Sequence, residues 1–153
     1  MGLEFGSESA EETRRLGERL GALLRAGDVV LLSGELGAGK TVFVQGVARG
    51  LGFEGSASSK SFVLLGEYAG RVRLYHADLY RLEAPEQVEE LALDEISADG
   101  VLVVEWPERA GEGVLPEEHV RVEFEVTGED SRRVRVGGRG QRANELRALL
   151  AEI

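Results

Sequence analysis

The sequence predicts a three-layer α/β fold in which helices cover both faces of a mixed β-sheet. Residues 29–32 and 101–104 are continuous apolar runs that are too short for helices. Such runs are typical of strands that are buried on both faces of a parallel sheet. Segments with helical periodicity flank both runs, as an α/β fold requires. Two further pairs of strand-like segments predict hairpins, which add antiparallel strands to the parallel core.

The composition indicates one globular domain that spans residues 1–153. The chain has 153 residues, of which 42% are hydrophobic and 30% charged, and this matches a single hydrophobic core. Cysteine is absent, which excludes disulfides, thiolate metal ligands and a cysteine nucleophile. The net charge of −10 disfavours direct binding to nucleic acid or to anionic membranes. Because we find neither a membrane-length apolar run nor a leader segment, we expect a cytoplasmic protein without membrane association.

The first part of the chain predicts two helices around a buried strand. Ser9 and Glu12 form a capping box, and leucines at helical spacing follow until Gly27, which ends the first helix. Residues 29–32 then form the first buried strand. Residues 40–51 carry apolar side chains on one side and end beside two glycines, which predicts a second helix.

The middle of the chain predicts a hairpin and short helical segments. Residues 62–68 and 71–77 read as two strands around an Ala-Gly turn. Residues 85–91 begin with proline, which suits the first turn of a helix, and residues 93–96 add a further turn.

The last third of the chain predicts a second buried strand, a second hairpin and a final helix. The buried strand at residues 101–104 leads directly into Glu105. Residues 120–126 alternate between apolar and charged side chains and turn back into a strand at residues 134–136, so this pair has one solvated face. Residues 141–153 form an amphipathic helix.

A glycine-rich motif between the first buried strand and the second helix predicts a nucleotide site. Residues 34–41 read G-E-L-G-A-G-K-T and fit G-x-x-x-x-G-K-[ST], the phosphate-binding loop of P-loop NTPases. Glycines let backbone N–H groups turn towards a phosphate, and the helix N-terminus adds partial positive charge. The flanking strand and helix make a merely structural turn the weaker interpretation. The sequence therefore predicts a P-loop NTPase fold that binds a nucleotide and Mg²⁺.

Two side chains of this loop have predicted roles. Lys40, one of two lysines in the chain, would reach the β- and γ-phosphates, and the Thr41 hydroxyl would bind Mg²⁺. The predicted nucleotide contacts form one continuous stretch: Gly34, Glu35, Leu36, Gly37, Ala38, Gly39, Lys40, Thr41 and Val42.

Phosphoryl transfer also needs a carboxylate for the metal and a group that orients the attacking water or acceptor. Glu105 follows the second buried strand, and Asp78 ends the first hairpin. These are strand ends, where ligands collect in open α/β sheets. We therefore predict that Asp78 and Glu105 act with Lys40 as catalytic residues and with Thr41 as metal ligands. In the alternative interpretation, Asp78 caps the following turn and Glu105 only opens a loop.

Other residues near these strand ends have weaker functional signals. Trp106 either covers the phosphate site or a partner surface, or packs beneath the following proline. His76 lies on the same strand face as Asp78, and we interpret it as structural. Arg81 and Arg109 are better explained as solvated ion-pair residues than as groups that stabilise phosphate charge.

Several motifs occur together in the order of a known family. They are L-S-G-E-L-G-A-G-K-T at residues 32–41, S-K-S-F at 59–62, Y-H-A-D-L-Y-R-L at 75–82, E-E-L at 89–91 and V-E-W-P-E at 104–108. In this order they resemble the bacterial TsaE family, also called YjeE, over nearly the whole chain. The H-x-D-L-Y-R and E-W-P-E segments make the resemblance specific, because the phosphate-binding loop alone occurs in many families.

The resemblance implies a small ATPase that works with the TsaD and TsaB proteins in the threonylcarbamoyl modification of adenosine 37 in tRNA. Because the net charge of −10 disfavours direct binding of tRNA, we expect tRNA to be reached only through that complex. The family's lysine, magnesium hydroxyl and two acidic residues match this chain at Lys40, Thr41, Asp78 and Glu105. The chain departs from the family pattern at two positions, where Val42 replaces a second hydroxyl and Lys60 replaces a proline.

Two other functions stay open from the sequence. A small-molecule kinase would need an acceptor pocket and an arginine-bearing lid, for which residues 109–115 are the available segment. A nucleotide-dependent binding module would act through partners, and its hydrolysis of ATP would be incidental. Measuring ADP release with and without partner proteins and acceptors distinguishes these functions.

Overall fold

The computed structural model describes residues 2–35, 37–54, 65–80, 93–111 and 113–152. These residues form a seven-stranded sheet with the strand order β1-β7-β6-β2-β5-β4-β3. The strands are β1 (Leu3–Ser7), β2 (Val29–Ser33), β3 (Leu65–Tyr68), β4 (Arg73–Asp78), β5 (Gly100–Glu105), β6 (His119–Val126) and β7 (Arg132–Arg139).

The sheet has a parallel centre and antiparallel edges. The neighbours β6, β2, β5 and β4 run parallel, so their carboxyl ends lie at one edge of the sheet. The strands β3, β7 and β1 pair antiparallel with their neighbours. The predicted mixed sheet is therefore confirmed, including its two hairpins. Residues 62–64 of the first predicted hairpin lie outside the described residues.

Helices pack on both faces of this sheet. They are α1 (Ala10–Leu23), α2 (Lys40–Gly50), α3 (Leu93–Ile96), α4 (Gln141–Ala151) and a 3-10 helix (Pro107–Ala110). Val30 and Leu32 of β2 lie in a core with residues of α1, α2 and α4. Leu31, between them, points to a second core with Leu93 of α3 and Ala110 of the 3-10 helix. This is the predicted three-layer arrangement.

The predicted helix starts match the described helices, but the predicted end of the first helix at Gly27 is wrong, because α1 ends at Leu23 with Leu24 as its C-cap. Ser9 caps α1 by accepting the N–H of Glu12 over 3.1 Å, and the Glu12 carboxylate accepts the N–H of Glu8 over 2.5 Å. The helix α2 begins at Lys40, as predicted. The predicted helix at residues 85–91 lies outside the described residues. No helix in the described part of the chain is long and apolar enough to cross a membrane.

Two elements were not predicted, β1 and the 3-10 helix. The strand β1 has five residues and contacts β7 at the edge of the sheet, so its sequence is too short for a clear periodicity. The 3-10 helix follows Trp106, whose φ of 58° and ψ of 50° turn the chain sharply at the end of β5.

The helices α1 and α2 touch at glycine positions. A Cβ on Gly17 would lie 2.2 Å from the Phe43 carbonyl oxygen, and a Cβ on Gly46 would lie 2.0 Å from the Arg14 carbonyl oxygen. The two backbones therefore approach more closely than side chains would allow. Because the predicted phosphate-binding loop leads into α2, this contact holds the loop in place against α1.

We expect Gly46→Ala to destabilise the fold by at least about 1 kcal/mol. The added methyl group has to separate two helix backbones, which typically costs about 1–3 kcal/mol, and the better helix propensity of alanine offsets only part of that cost. The matched control is Gly6→Ala, because a Cβ on Gly6 meets nothing within 4 Å. Chemical denaturation measures both variants. Equal losses of stability in the two would contradict the close contact between the helices.

Candidate functional site

The loop between β2 and α2 depends on glycine at both ends. Gly34 and Gly39 have φ angles of 147° and 101°, which strongly favour glycine. A Cβ on Gly34 would also lie 2.9 Å from the carbonyl oxygen of Phe124. These constraints give the loop the compact backbone that a phosphate-binding loop requires. Of the predicted nucleotide contacts, Leu36 lies outside the described residues.

The Lys40 side chain folds back over this loop. It is 5% exposed, and its Nζ donates a 2.5 Å hydrogen bond to the carbonyl oxygen of Gly34. The same Nζ lies 3.6 Å from the centroid of the Trp106 ring, which is a cation–π contact. The ammonium group therefore lies between the loop and an aromatic ring.

Three carboxylates act on the charge of Lys40. Burial lowers the pKa of Lys40, whereas the negative charges of Glu105, Glu108 and Asp78 raise it, in that order of strength. The sequence predicts Glu105 and Asp78 as residues of this site, but it does not predict Glu108. The lysine and the two selected carboxylates therefore belong to one electrostatic site.

Asp78 and Glu105 are neighbours because their strands are parallel and in register. They are the last residues of β4 and β5, and they lie opposite each other. Side chains alternate between the two faces of a strand. Val101 and Val103 of β5 point into the core beneath α1 and α2. Glu105, two residues after Val103, therefore lies on that same face. The structure thus brings Asp78 and Glu105 to the same edge and face as Lys40.

Glu105 is buried even though it is a carboxylate. It is 3% exposed, and its Oε2 lies 2.6 Å from Nε2 of His76, which is 7% exposed. Buried polar groups are normally paired in this way, because an unpaired carboxylate would lose its hydration without compensation. The residue that we interpreted as structural is therefore in direct contact with a candidate catalytic carboxylate.

Asp78 also makes the local contact expected of a turn cap. Its Oδ1 accepts the N–H of Tyr80 over 3.0 Å. The residue is half-buried, and an ionised carboxylate has a second oxygen that can accept further bonds. The capping contact and the predicted metal contact are therefore compatible.

Trp106 links the site to the second core. Trp106 has a left-handed backbone with a φ angle of 58°, and no other non-glycine residue in the described part of the chain has a positive φ. Its N–H donates to the Leu32 carbonyl oxygen over 3.3 Å. Its ring lies 5.0 Å from the ring of Tyr80, and the Arg109 guanidinium lies 5.4 Å from that same ring. Trp106 therefore covers Lys40 and also packs against the second core.

Sequence reasoning missed one residue that holds the loop. Arg132, the first residue of β7, donates from Nη2 to the Gly37 carbonyl oxygen over 3.0 Å. Its Nη1 donates to the Ser131 carbonyl oxygen over 2.8 Å. No local pattern links this arginine to a loop far away in the sequence. Glu108, by contrast, is the last residue of the E-W-P-E segment and could have been selected there.

The residues of the site fit a nucleotide with a bound magnesium ion. Thr41 is the second residue of α2 and is exposed, so its hydroxyl is accessible. The described residues contain no group of three or more His, Cys, Asp or Glu side chains that could hold a metal ion alone. Magnesium in nucleotide sites is usually held by one or two carboxylates together with phosphate oxygens. Thr41, Asp78 and Glu105 fit an ion that binds together with a triphosphate.

Comparisons of sequence give a consistent family. The family described as "Threonylcarbamoyl adenosine biosynthesis protein TsaE" matches residues 7–134. The protein named tRNA threonylcarbamoyladenosine biosynthesis protein TsaE from Treponema pallidum is 43% identical over 131 residues, which cover 85% of this chain and 96% of that protein. The protein of the same name from Bacillus subtilis is 37% identical over 142 residues, which cover 92% and 88%.

The comparison of structures agrees with the comparison of sequences. The crystal structure of Bacillus subtilis YdiB matches with a TM-score of 0.83 and 34% sequence identity, and the match covers 99% of this chain and 95% of that one. The chain has the P-loop NTPase fold, with a mixed sheet, helices on both of its faces and a glycine-rich loop before α2. This chain belongs to the TsaE family.

Proposed function

We propose that this chain is a magnesium-dependent ATPase that acts with TsaD and TsaB in forming N6-threonylcarbamoyladenosine at position 37 of tRNA. The observation that carries the proposal is the position of Lys40, whose Nζ folds back to the Gly34 carbonyl oxygen of the glycine-rich loop and is within electrostatic reach of Asp78 and Glu105. The family is named for this biosynthesis, which gives the ATPase its context. We place the protein in the cytoplasm as a single domain over residues 1–153.

The loop and α2 supply the groups that bind phosphate. The N–H groups of residues 34–42 and the positive end of the α2 dipole attract anionic oxygens. Lys40 adds a full charge when it exchanges the Gly34 carbonyl oxygen for phosphate oxygens of ATP. The same groups stabilise the charge that develops on the γ-phosphoryl group during its transfer to water.

Asp78 and Glu105, at the ends of β4 and β5, supply the groups for the metal ion and the attacking water. A bound Mg²⁺ ion would neutralise charge on the β- and γ-phosphate oxygens. Thr41, Asp78 and Glu105 are the residues that would hold this ion or its waters. Glu105 also has the buried, fixed position that suits a group orienting the attacking water and accepting its proton.

The charge of the chain favours action through partner proteins. The net charge of −10 opposes direct contact with the phosphates of tRNA, so we place the tRNA on the partner complex.

Binding of a γ-phosphate has to change the contacts of Lys40 with Gly34 and Trp106. Trp106 leads directly into the 3-10 helix, so the nucleotide state can reach the surface there. A partner can respond only if it binds one nucleotide state better.

ATP turnover should be slow for the chain alone and should increase when TsaB and TsaD are added together. ADP release measures the turnover. Titration calorimetry of the TsaB–TsaD complex against this protein, loaded with an ATP analogue or with ADP, measures whether the affinity depends on the nucleotide. Equal affinities together with unchanged turnover would contradict the proposal. Turnover that requires a small acceptor instead would support a kinase.

Thr41→Ala should raise the Mg²⁺ concentration that gives half-maximal ATP turnover by about tenfold. The substitution removes one oxygen ligand, and the loss of one such polar contact is typically worth about 1 kcal/mol or slightly more. The matched control is Thr41→Ser, which keeps the hydroxyl. Identical magnesium titrations of the two variants would show that the hydroxyl does not bind the ion.

A further inference from the structure

A buried pair of polar side chains lies beside the phosphate-binding loop. His76 Nε2 and Glu105 Oε2 are 2.6 Å apart, and the two side chains are 7% and 4% exposed. With Glu105 as a carboxylate, whose oxygens only accept hydrogen bonds, this contact requires the imidazole tautomer that carries its hydrogen on Nε2. The histidine therefore occupies one of the two oxygens of Glu105.

The sheet fixes the geometry of this pair. β4 and β5 are parallel neighbours in which His76 lies opposite Val103 and Asp78 lies opposite Glu105. His76 is therefore diagonal to Glu105 on the same face of the sheet. The strand β4 is held on its other side by β3, and β5 is held by β2. The distance between the two side chains is thus set by hydrogen-bonded strands and not by a loop.

We propose that His76 is a positioning residue that fixes the orientation of the Glu105 carboxylate. By holding Oε2, His76 prevents rotation of the carboxylate and leaves Oε1 for the attacking water or a metal-bound water. This inference rests on the proposed function, because His76 acts only through Glu105. His76 contacts neither nucleotide nor reacting atoms in this scheme, so it is not a catalytic residue. Partners of this kind orient the groups that bind metal and water.

A positioning role and a purely structural role for His76 predict different effects on kcat when His76 is replaced. In both cases, removing the donor leaves a buried carboxylate without its partner and lowers the stability of the fold. A positioning role also lowers kcat for ATP while KM stays close to its original value, because the orientation of Glu105 matters in the transition state. A structural role changes the melting temperature and leaves kcat per folded molecule unchanged.

The sharpest test compares His76→Gln with His76→Asn. Glutamine places an amide N–H donor near the original position of Nε2, whereas asparagine is one methylene shorter and cannot reach Glu105. We expect His76→Gln to keep most of the turnover and His76→Asn to lower kcat by about 10- to 100-fold. ADP release is measured with TsaB and TsaD present and normalised to the folded fraction, which is obtained by titration with an ATP analogue. Equal kcat values in the two variants would overturn the positioning role.

A double-mutant cycle shows whether His76 acts through Glu105. If it does, adding His76→Asn to Glu105→Gln causes no further loss of kcat, because the positioned carboxylate is already gone. Independent, additive losses would overturn the inference. Normal turnover in His76→Asn with low turnover in Glu105→Gln would overturn the inference alone. Normal turnover in Glu105→Gln would also overturn the catalytic role of Glu105 in the proposed function.

Discussion

Lys40→Ala should lower the kcat of ATP hydrolysis by about 100- to 1,000-fold, which is the usual cost of removing one preorganised group opposite a developing charge. The Nζ of Lys40 already lies at the loop, bonded to the Gly34 carbonyl oxygen, so little reorganisation is needed when phosphate binds. Negative charge on the transferring group has to be stabilised most in the transition state. We therefore expect the affinity for nucleotide to fall less than kcat.

Arg49→Ala is the matched control for Lys40→Ala. Arg49 is in the last turn of the same helix, and its side chain is exposed, so the substitution removes one positive charge without changing the loop. ADP release gives kcat, titration calorimetry gives the affinity for an ATP analogue, and thermal unfolding shows that both variants fold. Near-normal ADP production by Lys40→Ala would show that hydrolysis does not take place at this loop.

The backbone of the glycine-rich loop before α2 could be predicted because its determinants are local. A buried strand, glycines at fixed spacing and a lysine that begins a helix all lie within residues 29–50. The structure has the predicted strand and the predicted start of α2 at Lys40. Glycines at both ends of the loop take φ angles that other residues disfavour, so the local sequence constrains the local backbone.

The proximity of Asp78 and Glu105 could be predicted from topology. Both residues end strands that are largely buried, and the carboxyl ends of neighbouring parallel strands meet at one edge of a sheet. This argument needs only the strand type and the strand ends. It places the two residues at one edge of the sheet, whereas their position directly opposite each other also depends on the register of β4 and β5.

Contacts that depend on register could not be predicted. The bond between His76 and Glu105 needs β4 and β5 in one particular register, because a shift by one residue would turn His76 to the other face. The bond from Arg132 to the Gly37 carbonyl oxygen joins the start of β7 to the loop. Only the complete strand order brings these two segments together.

Glu105→Gln and Asp78→Asn should retain ATP binding and lose turnover by about 100-fold or more. Each amide has nearly the size of the carboxylate, but it cannot accept a proton or neutralise a metal ion. General acid–base catalysis typically contributes about 10²- to 10⁴-fold, so Glu105→Gln should have the larger effect. Each substitution also removes a negative charge that lies near Lys40. Without Mg²⁺, ATP should therefore bind at least as tightly as it does to the unmodified chain.

Glu125→Gln is the matched control for both amide substitutions. Glu125 lies near the carboxyl end of the parallel strand β6, but its side chain is exposed and pairs with Arg133. The control should keep its turnover. Single-turnover ADP formation measures the chemical step, and calorimetry with and without Mg²⁺ measures the binding of ATP.

The pattern of losses assigns the two carboxylates separately. Weaker ATP binding at an unchanged kcat would mean that they contribute to ground-state binding and not to the chemical step. If Glu105→Gln loses turnover while Asp78→Asn keeps it, Asp78 is reduced to the turn cap that its bond to the Tyr80 N–H already shows. Glu105 would then be the carboxylate that orients the water. If both variants lose turnover and only Asp78→Asn requires more Mg²⁺, Asp78 holds the metal ion and Glu105 acts on the attacking water.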